Sequence, residues 1–167
     1  MQVREATEED FEEVGRLTIA AYRALDTWVG DDYAAHLADV EGRAKAENTI
    51  VLVAADDDGR LLGSVTLTIG GGPFFEWDCE ADGDCGFRML AVDPEVQGKG
   101  VGPRLVAECL ARARAAGCRR MIIGSTEWMT TAHRIYERLG FRRVPELDQM
   151  WGDIRGLCFR LDDLRVA

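Results

Sequence analysis

Between an apolar strand pattern and an amphipathic helix pattern stands the run Gln97-Gly98-Lys99-Gly100-Val101-Gly102. The first N–H groups of a helix lack partners within it, and its aligned peptide dipoles place partial positive charge there. A diphosphate suits both features. It approaches backbone closely only where side chains are absent, which is the physical use of Gly98, Gly100 and Gly102. Pro103 falls in the first helical turn, where its missing N–H costs little. A flexible strand-to-helix joint has the same composition, so the run by itself leaves two readings, phosphate cup or plain turn. Two other phosphate loops are excluded by residue type. A Walker loop needs Ser or Thr after Gly98-Lys99, where Gly100 stands. A dinucleotide fingerprint needs a small residue at Pro103 or, counted from Gly100, at Leu105, and the next strand ends at Gly124 without an acid for a ribose.

Other reactive side chains are less organised. Five cysteines (Cys79, Cys85, Cys109, Cys118, Cys158) are an odd, scattered set. Cys109, Cys118 and Cys158 fall in or beside apolar patterns and read as small buried hydrophobes. Cys79 and Cys85 share an acidic loop and have the proximity for a bridge or a metal. No His or second cysteine couple stands at zinc spacing, so no metal site is expected. The same loop, Glu76 to Asp84, reads either as a solvated surface or as a negative lip for a cationic amine.

The elements that position these residues follow from periodicity. Gln2 to Glu5 reads as a strand, and Thr7 with Asp10 as a capping box before a helix from Phe11 to about Ala24. A second helix opens at Asp31-Asp32 and carries Tyr33, Leu37, Val40 and Ala44. Ile50–Ala55 and Leu61–Ile69 form a hairpin across Asp56-Asp57-Asp58-Gly59. Gly70 begins an irregular loop to about Gly86, and Phe87–Val92 is a strand stopped by Asp93-Pro94. Pro103–Ala116 is a helix ended by Gly117, Arg120–Gly124 a strand, and Thr131–Leu139 a helix ended by Gly140. Phe141–Val144 and Leu157–Leu161 supply the last strands. The chain reads as one α+β domain over residues 1–167.

Composition bounds the function. Hydrophobic residues at 47% and charged residues at 30% suit a globular protein. No apolar run reaches the ~18–20 residues of a membrane span, and the N-terminus turns acidic at once, so a cytoplasmic protein without membrane contact is expected. A formal net charge of −10 disfavours nucleic acid and favours a cationic partner.

The run Leu90-Ala91-Val92-Asp93-Pro94-Glu95-Val96-Gln97-Gly98-Lys99-Gly100-Val101-Gly102 resembles the Gln/Arg-x-x-Gly-x-Gly/Ala signature of the GNAT acetyltransferase superfamily. Ala132-His133-Arg134-Ile135-Tyr136-Glu137-Arg138-Leu139-Gly140-Phe141 resembles its second motif, in the right order downstream. The order of elements matches along nearly the whole chain. The resemblance implies a three-layer α/β/α arrangement with a mixed, mostly antiparallel sheet of about six or seven strands and about four helices. It implies direct transfer of the acetyl group of acetyl-CoA to a primary amine, on a small molecule or peptide, and no metal. Transfer of a longer acyl group, a hydroxyl acceptor, or a coenzyme-binding sensor without catalysis are the alternatives. A homodimer through the C-terminal strands is a further family expectation.

For the site, the resemblance places the coenzyme on Leu90, Ala91, Val92, Gln97, Gly98, Lys99, Gly100, Val101, Gly102, Pro103, Met129, His133 and Tyr136. A bulge near Leu90 to Val92 is expected to aim an N–H at the thioester carbonyl, stabilising the oxyanion. Tyr136 is expected to protonate the leaving thiolate. A phenol with a pKa near ~10 is protonated at neutral pH and can donate to a thiolate whose acid has a pKa near ~8.5. Tyr136 also lies on an apolar helical face with Ala132, Ile135 and Leu139, where a core role is the alternative. The sequence departs from the family at Met129, where an Asn often stands, and at Gly86 and Gly124, where a Glu often serves as base. Asp84 and Glu127 are therefore the candidate bases, with a water chain as the equal alternative; Trp28 and Tyr33 are candidates for an acceptor wall, with core as the other reading of Tyr33.

Overall fold

The N-terminal helix is secured much as its sequence context predicts. The Thr7 N–H donates to the Asp10 carboxylate at 2.8 Å, and Arg4 grips the same carboxylate at 2.6 and 3.0 Å. The structure, a computed structural model, describes residues 1–25, 29–75, 77 and 83–165. Strand β1 (Gln2–Glu5) leads into α1 (Phe11–Arg23), which buries Val14, Leu17, Thr18 and Ala21 at helical spacing. Two short helices follow, α2 (Asp31–Ala38) and α3 (Val40–Lys45), where periodicity alone predicts one. Asp39 makes the break: at φ −77° and ψ 69° it leaves the helix, and its side chain accepts from the Gly42 N–H to cap α3. Arg43 completes the joint, donating from Nη1 to the carbonyls of His36, Leu37 and Asp39 at 3.1, 3.0 and 3.3 Å.

The hairpin is β2 (Thr49–Ala55) and β3 (Leu61–Ile69), paired antiparallel. Next come β4 (Asp84–Val92), α4 (Val101–Ala115), β5 (Arg120–Thr126) and α5 (Thr130–Arg138). The chain closes through β6 (Arg142–Arg143), β7 (Gln149–Trp151) and β8 (Ile154–Leu161). The sheet runs β1-β2-β3-β4-β5-β8-β6, with β7 also paired to β8. Among the described residues the sheet thus has eight strands and the fold five α-helices, one more of each than the upper sequence expectation. The extra strand, β7, forms a tight hairpin with β8 across Gly152, whose φ of 64° permits the turn.

Alternation along β2 divides the core in two. Leu52 and Ala54 join Leu105, Val106, Cys109 and Tyr136 beneath α4 and α5. Val51, Val53 and Ala55 join Val14, Leu17 and Val40 beneath α1 and α3. Helices therefore cover both faces, and the three-layer α+β expectation holds. Cys109, Cys118 and Cys158 are buried thiols outside any disulfide, as is Cys85. The Cys79 end of the suggested bridge, most of the acidic loop, and Trp28 lie outside the described residues. No helix among the described residues is long and apolar enough to cross a membrane.

Candidate active site

The site begins with a failure of pairing. Of the strand pairs among the described residues only β4 and β5 run parallel, and they pair at Asp84–Arg120 and Cys85–Met121. Past those residues the two strands diverge and leave a wedge through the sheet. A cavity of about 470 Å³ occupies it, a size suited to a cofactor-sized ligand. Its wall includes Phe87 and Tyr136 on the α4/α5 side and Ala21, Tyr22 and Leu25 from the end of α1. The cavity thus communicates with both faces of the sheet.

Residues on β4 shape the wedge from one side. Opposite β3 the register slips between Ser64 and Thr66, so β4 carries an extra residue there, and Met89 sits at φ 54°. A non-glycine residue in the left-handed region is uncommon and marks a bulge held by its surroundings. Met89 is buried and lines the cavity together with Leu90, Ala91 and Val92.

The loop before α4 supplies the second wall. Gly98 and Gly100 adopt φ of 79° and 84°, and a Cβ added to either meets nothing within 4 Å. What these positions demand of glycine is therefore left-handed backbone, and the space in front of them is open. Gly102 has a different reason: its Cβ would lie 3.2 Å from Ile135 Cδ1, so glycine lets α4 and α5 approach. The N–H groups of Gln97, Gly98, Lys99, Gly100, Val101 and Gly102 donate to no described residue. That is a row of unpartnered donors at the N-terminus of α4, an anion cup by geometry and by helix dipole. Gln97, Gly98, Gly100, Val101, Gly102 and Pro103 line the cavity, whereas Lys99 is exposed beside it.

Tyr136 is 4% exposed, its ring within 5.6–5.8 Å of the rings of Phe87, Phe141 and Phe159. Burial pushes its phenol well above the ordinary value, so the hydroxyl keeps its proton at neutral pH. No described residue accepts from it, and the side chain lines the cavity. In this placement the Tyr136 ring is core, and the side chain also borders the cavity.

Other expected site residues go elsewhere. Asp84 opens β4 at the closed end of the wedge, 2% exposed and held by Arg120 at 2.7 Å through both carboxylate oxygens. It ties the two strands together where they still pair and is not among the cavity's lining residues. Glu127 is exposed, 3.8 Å from Arg155, and also off the lining. His133 turns to the sheet, with Nε2 3.1 Å from Ser125 Oγ and its ring 4.9 Å from that of Phe159, and so leaves the coenzyme side. Met129 does line the cavity. The two glycines lacking the family's acid have no room for one. A Cβ at Gly86 would lie 2.5 Å from the Ile122 carbonyl, and one at Gly124 would lie 2.8 and 2.9 Å from the Trp77 and Trp151 rings. Tyr33 lies 6.2 Å from Tyr22 ring to ring, off the lining.

Sequence reasoning missed Arg134 and Arg138, which line the cavity from α5. Their signal was available: with Thr131 and Ile135 they recur at the 3.6-residue period on the face that meets the loop. It also missed Trp128, and Arg88 on β4, whose guanidinium lies 6.0 Å from the centre of the Phe74 ring.

Comparison with known proteins places this geometry. A mycothiol acetyltransferase of Cellulomonas flavigena is 35% identical over 98 residues, covering 59% of this chain but only 28% of that relative. A glucosamine 6-phosphate N-acetyltransferase of Trypanosoma brucei brucei is 32% identical over 108 residues, covering 65% and 67% of the two chains. The solved structure of a GNAT family acetyltransferase from Brucella melitensis in complex with acetyl-CoA is 28% identical, with a TM-score of 0.62 over 96% of this chain and 89% of that one. The family model described as "Acetyltransferase (GNAT) family" matches residues 4–141. A match of that extent, with the wedge, the bulge and the open amide row where such a fold needs them, shows that the chain belongs to the acetyltransferase (GNAT) family.

Proposed function

We propose that this chain transfers the acetyl group of acetyl-CoA directly to the nitrogen of an amine. The observation that carries the reading is the row of unpartnered N–H groups from Gln97 to Gly102, at the mouth of a cavity that crosses the sheet. The diphosphate would accept from that row, with Arg134 and Arg138 beside it. The pantetheine arm would lie along the β4 edge that β5 has left, pairing with the backbone of Leu90 to Val92 as an added strand.

In this arrangement the thioester carbonyl lies at the Met89 bulge, where a backbone N–H stabilises the negative charge as the amine attacks. The nitrogen forms its bond to the carbonyl carbon, the C–S bond breaks, the thiolate takes the Tyr136 proton, and solvent returns a proton to the phenolate. The proton lost by the amine leaves by solvent, since Asp84 and Glu127 are both engaged away from the cavity. Relatives named for mycothiol and for glucosamine 6-phosphate support a small-molecule acceptor.

Release of free thiol from acetyl-CoA across an amine panel tests the reading, with acetylated product identified by mass. Longer acyl donors and hydroxyl acceptors in the same panel test the neighbouring transfer reactions. A second reading, a coenzyme-binding module without catalysis, is favoured by one observation: no Asp or Glu is among the described residues lining the cavity. It requires coenzyme binding with no acetylated product from any amine.

A further inference from the structure

The described cavity lining has a charge pattern opposite to that of the whole chain. The formal net charge is −10, yet each charged side chain among the described lining residues is an arginine: Arg88, Arg134 and Arg138. Coenzyme phosphates at the α4 loop account for Arg134 and Arg138. Arg88 stands on β4 instead, and already makes a contact within the protein. It follows Phe87, whose ring meets Tyr136 beneath α5, so alternation sends Arg88 to the opposite face, among the elements that follow α1. There it lies over Phe74, on which His36 of α2 stacks at 6.3 Å.

A second cation lies behind it. Arg43 is 1% exposed, its Nη1 bonded only to carbonyls, and its Nε is fully buried without a partner. No carboxylate among the described residues pairs with Arg43, and a buried guanidinium is rarely left so. The surrounding groups register the field. Burial, Arg88 and Arg43 hold the His36 imidazole below its ordinary value, with Asp39 the described acid opposing them. Burial first, then Arg88, lowers Arg43 itself, against Asp39 and the tyrosines Tyr22 and Tyr33.

We infer that the acceptor is an amine that also bears an anionic group, a carboxylate or a phosphate, which meets Arg88 on the α1/α2 side while the nitrogen reaches through the sheet. This rests on the acetyl-transfer reading above and names its substrate class. A guanidinium has five donors in a planar fork, so a contact within the protein leaves others for a second anion. An acceptor of this class is the reverse of the cationic partner that net charge alone invites.

Matched pairs differing in charge test the inference: L-leucine against L-leucinamide, and phosphoethanolamine against ethanolamine. Calorimetry on the full chain saturated with coenzyme A reads binding, and thiol release from acetyl-CoA reads turnover. The expected result is at least about tenfold tighter binding of the anionic member in one pair or both, in line with a charge-assisted contact. The favoured pair identifies the anion. Arg88→Gln narrows that ratio toward one and Arg88→Lys restores part of it, whereas Arg134→Gln weakens coenzyme binding and leaves the ratio intact. If the Arg88 variants do not fold, loss of the preference at raised ionic strength in the unmodified chain serves instead. Equal binding within both pairs, or none, overturns the anionic acceptor, and equal turnover does so while leaving acetyl transfer standing. Preferential binding without thiol release overturns acetyl transfer and leaves the anion site standing.

Discussion

Gly100 offers a perturbation with an internal control. Its φ is 84°, and a Cβ there meets nothing within 4 Å. Gly59, in the β2–β3 turn, has φ 85° and equally empty surroundings. Alanine at either position suffers the same left-handed strain, about 1–2 kcal/mol, with no steric clash to distinguish them. For a chain of this size that lowers the thermal midpoint by roughly 2–8 °C in both variants. Coenzyme A separates them. At a hundred times its dissociation constant it adds ~2.7 kcal/mol to the unmodified chain, a rise of roughly 5–10 °C. Gly59→Ala keeps that rise from its lower baseline. Gly100→Ala loses it, because its methyl occupies the space in front of the amide row and its N–H is displaced as the backbone relaxes. Scanning fluorimetry of three proteins, each with and without coenzyme A, is the whole experiment. A full ligand shift in Gly100→Ala, or an equal loss in Gly59→Ala, refutes the amide cup.

Three further outcomes follow from the geometry. Tyr136→Phe keeps coenzyme binding and the core packing of its ring but lowers kcat about 10²-fold or more; an unchanged thiol-release rate removes Tyr136 from proton transfer. Asp84→Asn breaks the Arg120 pair at the closed end of the wedge and costs about 2–3 kcal/mol, read as a lower melting midpoint. The folded variant retains turnover at a permissive temperature, which a general base would not. Asp148 accepts from Arg143, Arg155 and the Cys158 N–H, and Arg143 first among these holds its pKa down to about 2. A depressed carboxylate stabilises the fold above its unfolded pKa and loses that contribution as pH falls through the folded value. Stability therefore declines between about pH 4 and pH 2, and Asp148→Asn flattens the decline in acid titrations followed by circular dichroism.

The glycine loop of the proposed coenzyme site was legible because its constraints are local, whereas Arg134 and Arg138 were missed. A helix that starts after Gly98-Lys99-Gly100 must expose its first amides whatever packs on it, and positive φ at Gly98 and Gly100 is a property of the turn itself. Tyr136 was legible as a core residue through Ala132, Ile135 and Leu139, and as a proton donor only through the family motif. Asp84 was misread for a physical reason: whether a carboxylate faces ligand or pairs with an arginine depends on what lies across the sheet. Arg120, which holds it at 2.7 Å, is 36 residues away in sequence.

The chain's own order of residues determined the helices, most strands, the glycine turns and the row of amides at the start of α4, since each arises from interactions within a few residues. Tertiary structure alone decided that β4 and β5 part after two paired positions, that Trp77 and Trp151 cover Gly124, and that Asp39 divides a continuous helical pattern. It also decided that arginines from β4 and α5 converge on one cavity in an acidic protein. Those outcomes depend on close packing and charge between segments far apart in sequence, and no local periodicity encodes them.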